Sequence, residues 1–111
     1  MFIVKPYRSK KYLAWVKTLD SVLSHQPGCD AHHLIGHGQG GIGTKVTDIW
    51  TFPLTRGEHT ELHHMGWKAW EEEHGSQWRF IGLTVHLAIL EGPLSLPRDK
   101  QVESTYRDDD W

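Results

Sequence analysis

The chain has 111 residues, 38% of them hydrophobic, with 12 lysines and arginines against 14 acids and a net charge of −2. That bounds it to a small single domain and excludes a generally basic nucleic-acid coat. Cys29 is the sole cysteine, so no internal disulfide can form. No stretch reaches the roughly eighteen apolar residues of a membrane span.

The start, MFIVKPYRSKK, lacks the apolar run of a signal peptide, and a cytoplasmic location is expected. Residues 1–19 nevertheless carry Lys5, Arg8, Lys10, Lys11 and Lys17 with no acid, while acids cluster at Glu71–Glu73 and Asp108–Asp110. Such a basic arm suits a phosphate backbone or a solvated helix face, and charge alone does not separate the two.

Ser9 is placed to cap a helix from about Lys10 to Leu19, with Tyr12, Leu13, Trp15, Val16 and Leu19 on one face. Lys10, Lys11 and Lys17 lie largely off that face, within reach of DNA. Pro27 and Gly28 then mark a turn. Ala31–Ile35 reads as the first strand of a hairpin and Val46–Phe52 as the second, closed by Pro53 because proline cannot continue a ladder. Between them lie five glycines in eight residues, Gly36 to Gly43. Their backbone can turn N–H groups toward an anion, with His37 and Lys45 adding phosphate contacts, or the run is simply a flexible loop.

Thr55 and Glu58 form a capping box for a helix from Arg56 to about His64 or Met65, stopping near Gly66. Arg56 is either a phosphate contact or a surface residue. A short helix follows over Trp67–His74, with Trp67 and Trp70 inward and Glu71–Glu73 outward, ended by Gly75. Gln77–Leu90 fits a further helix better than a strand. Pro93 and Pro97 stop regular structure, leaving residues 1–97 as the domain and 98–111 as a polar tail expected to be mobile. The fold class is α+β, a β-hairpin and helix with flanking helices. His25, His74 and His86 are read as surface or core residues and His64 as exposed.

Strand geometry sends His32 and His33 to opposite faces, and a helix puts His59 and His63, four apart, on the same face. A strand histidine with a helical H-x-x-x-H pair gives three nitrogen ligands, the open shell of a catalytic divalent metal. His32, His59 and His63 are therefore the expected metal ligands. His33, not ligated, is the expected general base, since imidazole titrates near neutral pH. Asp48, across the hairpin, either orients His33 or joins the metal shell. Three imidazoles favour Zn, Ni, Co or Mn over Mg without deciding among them.

The ordered set AHHLIGHGQGGIGTK, DIWTFPL, H-x-x-x-HH and WEEEHGSQ, preceded by RSKKYLAWVKTL, resembles the HNH (ββα-metal, His-Me finger) endonucleases. The likeness is greatest to the small phage and prophage recombination-region type that includes the Ref-like nucleases, and it covers about residues 8–78. The resemblance implies a treble-clef-like ββα-metal core with His32 as strand ligand, His33 as general base and His59 as helical ligand. It further implies that His63 binds metal or the scissile phosphate and that Asp48 stands where many such enzymes have asparagine. It also implies a metal-dependent DNA endonuclease leaving 5′-phosphate and 3′-hydroxyl ends, in phage recombination or DNA processing. A homodimer or a recombination protein is the further partner expected. Relatives of this kind carry cysteines for a structural zinc where this chain has Ser21, Ser24 and Thr55, so no structural zinc is expected. Two other readings stand beside it: a non-catalytic HNH-derived DNA-binding module acting with a recombination partner, and a metal-binding protein without DNA contact.

Overall fold

The structure, a computed structural model, describes residues 5–38 and 46–96. Lys45, the latter part of the glycine run and the tail at 98–111 lie outside the described residues. In chain order the elements are α1 (Lys10–Lys17), β1 (Cys29–His33), β2 (Thr51–Thr55), α2 (Arg56–Met65), α3 (Trp67–His74) and α4 (Gln77–Glu91). The result is a small α+β fold with one two-stranded antiparallel sheet and four helices. No helix is long and apolar enough to cross a membrane.

Local chemistry explains most boundaries. Ser9 caps α1 by accepting from the Tyr12 N–H at 3.0 Å. The helix stops two residues earlier than its apolar spacing suggests, because the Thr18 hydroxyl and N–H both turn back to the Trp15 carbonyl. Thr55 and Glu58 do form the reciprocal capping box of α2. Glu58 also accepts from the Ser21 hydroxyl at 2.6 Å, which ties the loop after α1 to the start of α2. Burial raises the Glu58 pKa, but hydrogen bonds from Ser21, Ser24 and Thr55 outweigh it and hold the carboxyl below its ordinary range. Thus Ser21, Ser24 and Thr55 are all hydrogen-bonded to one carboxylate.

Three expectations need correction. The first strand runs over Cys29–His33 rather than Ala31–Ile35, because the ladder gives out after His33. Beyond it, the Gln77 side chain binds both the N–H and the C=O of Ile35, taking the place of a neighbouring strand. The second strand runs over Thr51–Thr55 rather than Val46–Phe52. Residues Thr47–Trp50 form a turn closed by Trp50 N–H to Thr47 C=O at 3.1 Å. Pro53 does not close that strand but pairs within it, opposite Ala31. Its carbonyl accepts from Val22 N–H on the side away from β1, so the missing proline N–H falls on the outer edge, where the ladder needs no donor.

The core lies on one face of the hairpin. Leu34, Phe52, Leu54, Leu62, Trp70, Phe80 and Ile81 pack together from the sheet, α2, α3 and α4. Removing each from water contributes on the order of 1.5–3 kcal/mol. A smaller cluster of Tyr12, Val16 and Ala88 joins α1 to α4, with Ala31 packed against it. Gly36 is required where it stands: its φ is +77° and a Cβ there would lie 2.2 Å from the Trp67 ring. The close fit fixes the chain leaving β1 against the start of α3.

Candidate metal centre

The period-two pleat of β1 separates the two adjacent histidines as expected. Asp30 and His32 turn toward α2, whereas His33 turns toward the N-terminal segment and Asp48. The capping box sets the start of α2, and one turn later His59 and His63 project from one side of it toward His32. Their ring centroids lie 4.9 Å and 5.7 Å from that of His32, and 4.9 Å from each other. One nitrogen from each of the three rings falls within 4.8 Å of the others. This donor set fits a divalent ion, since small side-chain adjustments bring three imidazoles to about 2.0–2.1 Å from a common centre. His32 is buried at 1% exposure, while His63 is open to solvent. Burial pushes the His32 pKa down to about 4, so the ring is neutral and able to act as a ligand at ordinary pH.

His32 and His59 each have a partner from elsewhere in the chain. His59 Nδ1 meets Asp30 Oδ2 at 3.0 Å, and His32 Nε2 meets Gln77 Oε1 at 3.1 Å. Asp30 also takes Arg56 through two contacts of 2.7 and 3.1 Å. Hydrogen bonds from Arg56 and His59 hold its carboxyl below the ordinary range. Asp30 was not singled out, because the expected strand began at Ala31; with the strand starting at Cys29, its place two residues before His32 puts it on the same face. Gln77 was not, since it lies 45 residues away on α4.

His33 stays outside the triad. Its Nε2 lies 2.9 Å from Asp48 Oδ1, so Asp48 orients this ring rather than joining the other three. Asp48 is itself buried and held by the Ser9 N–H at 2.8 Å and by Arg8 at 3.1 Å. Burial raises its pKa, but the bonds from His33, Ser9 and Arg8 prevail and keep it ionised below the usual carboxylate range. Because a carboxylate only accepts, a neutral His33 carries its proton on Nε2 and leaves Nδ1 bare. The side chain is about one-third exposed.

The remaining expected phosphate contacts divide. Lys10 and Lys11 are exposed on α1. Arg56 is engaged by Asp30, although its guanidinium remains largely exposed. His37 is turned inward: Nε2 donates to Glu71 Oε2 at 2.8 Å and the ring packs 4.4 Å from Trp67. Glu71 therefore faces inward, not outward as its place in the acidic run suggests. It accepts from His37 and from both the backbone and side chain of Gln77. Lys17, placed with Lys10 and Lys11 within reach of DNA, rims an open cleft of about 510 Å³ whose other walls include Asp30, Arg56, His59, Thr60 and His63.

Fold and site together define a small α+β protein whose hairpin and following helix bring three imidazoles to one point. The chain belongs to the family described as "Protein of unknown function (DUF968)", whose model matches residues 2–92. It is similar to "Uncharacterized protein YdfU" of Escherichia coli (strain K12), 45% identical over 85 residues. That match covers 73% of this chain and 24% of the relative, so the chain spans about a quarter of the relative's length. No solved structure matches the chain.

Proposed function

We propose that this protein is a metal-dependent DNA endonuclease of the HNH type, with β1, β2 and α2 as its ββα-metal core. The observation that carries this reading is the convergence of His32, His59 and His63 within 4.8 Å beside an imidazole, His33, that is held by a carboxylate and kept out of the cluster. A site for metal storage has no use for the second arrangement; hydrolysis needs both.

In this reading His32, His59 and His63 hold one divalent ion, of which Zn, Mn, Ni, Co and Mg are the candidates. When bound, it supplies Lewis-acid charge neutralisation at the phosphate and at the departing oxygen. The chain's own residues do the rest. Lys17 and the exposed Lys10 and Lys11 attract the DNA backbone toward the cleft. His33 accepts a proton from water at Nδ1 as that water attacks phosphorus and the P–O3′ bond breaks, leaving a 5′-phosphate and a 3′-hydroxyl. Asp48 keeps the proton of the resting ring on Nε2 and favours the imidazolium that forms. Arg8 and the Ser9 N–H hold Asp48 in place.

The test is supercoiled plasmid incubated with the protein and each candidate metal in turn. Nicked circles that appear with metal and vanish with chelator are the expected result. DNA retention without cutting under every metal would favour the binding-module reading, and the absence of salt-dependent DNA affinity would remove nucleic acid altogether.

A further inference from the structure

We propose that Gln77 is a positioning residue of the three-histidine site, fixing His32 in the Nε2–H tautomer so that an ion is taken through Nδ1 of His32 and Nε2 of His59. Its consequence for metal binding rests on the reading above; its geometry does not.

Gln77 is fully buried in the first turn of α4, and every hydrogen-bonding position of its amide is occupied. Oε1 accepts from the Ile35 N–H at 3.2 Å and faces His32 Nε2 at 3.1 Å. Nε2 donates to the Ile35 carbonyl at 2.9 Å and to Glu71 Oε2 at 3.2 Å. These partners determine which way the amide lies. Turned over, its NH₂ would meet the Ile35 N–H, and its oxygen would meet a carbonyl and a carboxylate. Since Oε1 can only accept, His32 Nε2 must donate, and the bare nitrogen of that neutral ring is Nδ1. The same logic applied to Asp30, which takes His59 Nδ1, leaves Nε2 of a neutral His59 bare.

Glu71 denies the amide any freedom to rotate. Its Oε2 accepts from the Gln77 backbone N–H at 3.0 Å as well as from the side chain, and is itself held by His37 at 2.8 Å. The start of α4, the end of α3 and the chain leaving β1 are thus locked together around one ligand ring. Partners of this kind raise ligand basicity and spare the site the cost of reorienting a ring on binding.

The wild-type protein gives the first test. Long-range ¹H–¹⁵N spectra of metal-free, ¹⁵N-histidine-labelled protein should show His32 protonated on Nε2 with Nδ1 bare. A His32 protonated on Nδ1 overturns the assignment. Gln77→Met has nearly the same length without an acceptor. It should let His32 populate both tautomers and weaken Co²⁺ binding by about 10- to 100-fold, with the far-UV circular dichroism of the metal-free protein retained. Unchanged tautomer and unchanged Co²⁺ affinity in that folded variant overturn the proposal. If wild-type protein takes up no Co²⁺, the metal reading fails, whereas the wild-type tautomer still decides the role of Gln77 by itself.

Discussion

His32 and His33 are neighbours on one strand and of one chemical type, yet they sit in opposite environments. His32 is 1% exposed, wedged against Phe52 and two further imidazoles, with an uncharged amide as its polar partner. His33 has a side chain 35% exposed and a carboxylate as partner. The partner atom of each ring, Gln77 Oε1 or Asp48 Oδ1, only accepts, so each neutral ring places its proton on Nε2; His32 lies buried among the other two imidazoles, whereas His33 is partly exposed. Strand alternation assigns the sides, and residues far away in the chain assign the chemistry. In the proposed reading the α2 side would hold an ion, while on the α1 side Arg8 and Ser9 hold Asp48, and Asp48 holds the proposed base.

The largest effect that could break this division comes from His33→Ala. If the two sides are separate, nicking should fall by about 10²- to 10⁴-fold, the usual contribution of a general base, while Co²⁺ uptake stays at the wild-type level. The measurements are plasmid nicking under saturating metal and titration with Co²⁺. Equal loss of metal binding and cutting would show that His33 belongs to the cluster after all.

A second test uses acid to probe the α2 side alone. The folded His32 pKa of about 4 lies below its ordinary 6.5, so between these values the unfolded chain binds a proton that the folded chain does not. Stability is then fully present above about pH 6.5, falls on acidification, and this contribution is gone below about pH 4. At about 1.4 kcal/mol per pH unit the loss amounts to about 3 kcal/mol. Urea unfolding of metal-free protein in chelator should show that slope, and a His32→Asn variant should lose it. A flat profile between pH 4 and 6.5 would mean that the ring is better solvated than its burial implies.

Asp30→Asn sharpens the comparison from the same side. It weakens the partner of His59 and releases Arg56, with little change in shape. Metal affinity should drop by about 10- to 100-fold, and nicking should recover when excess metal is supplied. Unchanged affinity would reduce Asp30 to a surface ion pair with Arg56.

How much of this could be read from the chain alone follows the range of each interaction. Local chemistry was legible: the Ser9 cap, the Thr55–Glu58 box, the Gly66 and Gly75 stops and the helix after Ser76 all depend on residues within one or two turns. The triad was legible too, because strand and helix periodicity dictates which side chains share a face; Asp48 was placed across the hairpin, but it reaches His33 from the turn before β2 rather than from a strand. What escaped depends on neighbours distant in sequence. Pro53 stays in its strand because Val22 supplies the outer-edge donor, and β1 ends early because Gln77 substitutes for a strand. Glu71 turns inward because His37 and Gln77 present three donors to it, which its place between two other glutamates gave no sign of.

The smallest effect concerns the joint between β2 and α2. Thr55 accepts from the Glu58 N–H at 3.2 Å, and Glu58 returns the bond to the Thr55 N–H at 2.8 Å. Thr55→Ala removes one half of that box, at a cost of about 1 kcal/mol in global stability. The helix it caps carries two of the three triad histidines, whereas His33 is held by Asp48, outside that helix. A loosened start to α2 should therefore lower metal affinity by a few-fold, less than Asp30→Asn, and leave the Asp48–His33 pair untouched. Saturating metal should restore nicking in Thr55→Ala completely, yet restore nothing in His33→Ala. If excess metal fails to rescue the threonine variant, the two sides of β1 are coupled through the hairpin itself, and the division of labour between its adjacent histidines is not a division of structure.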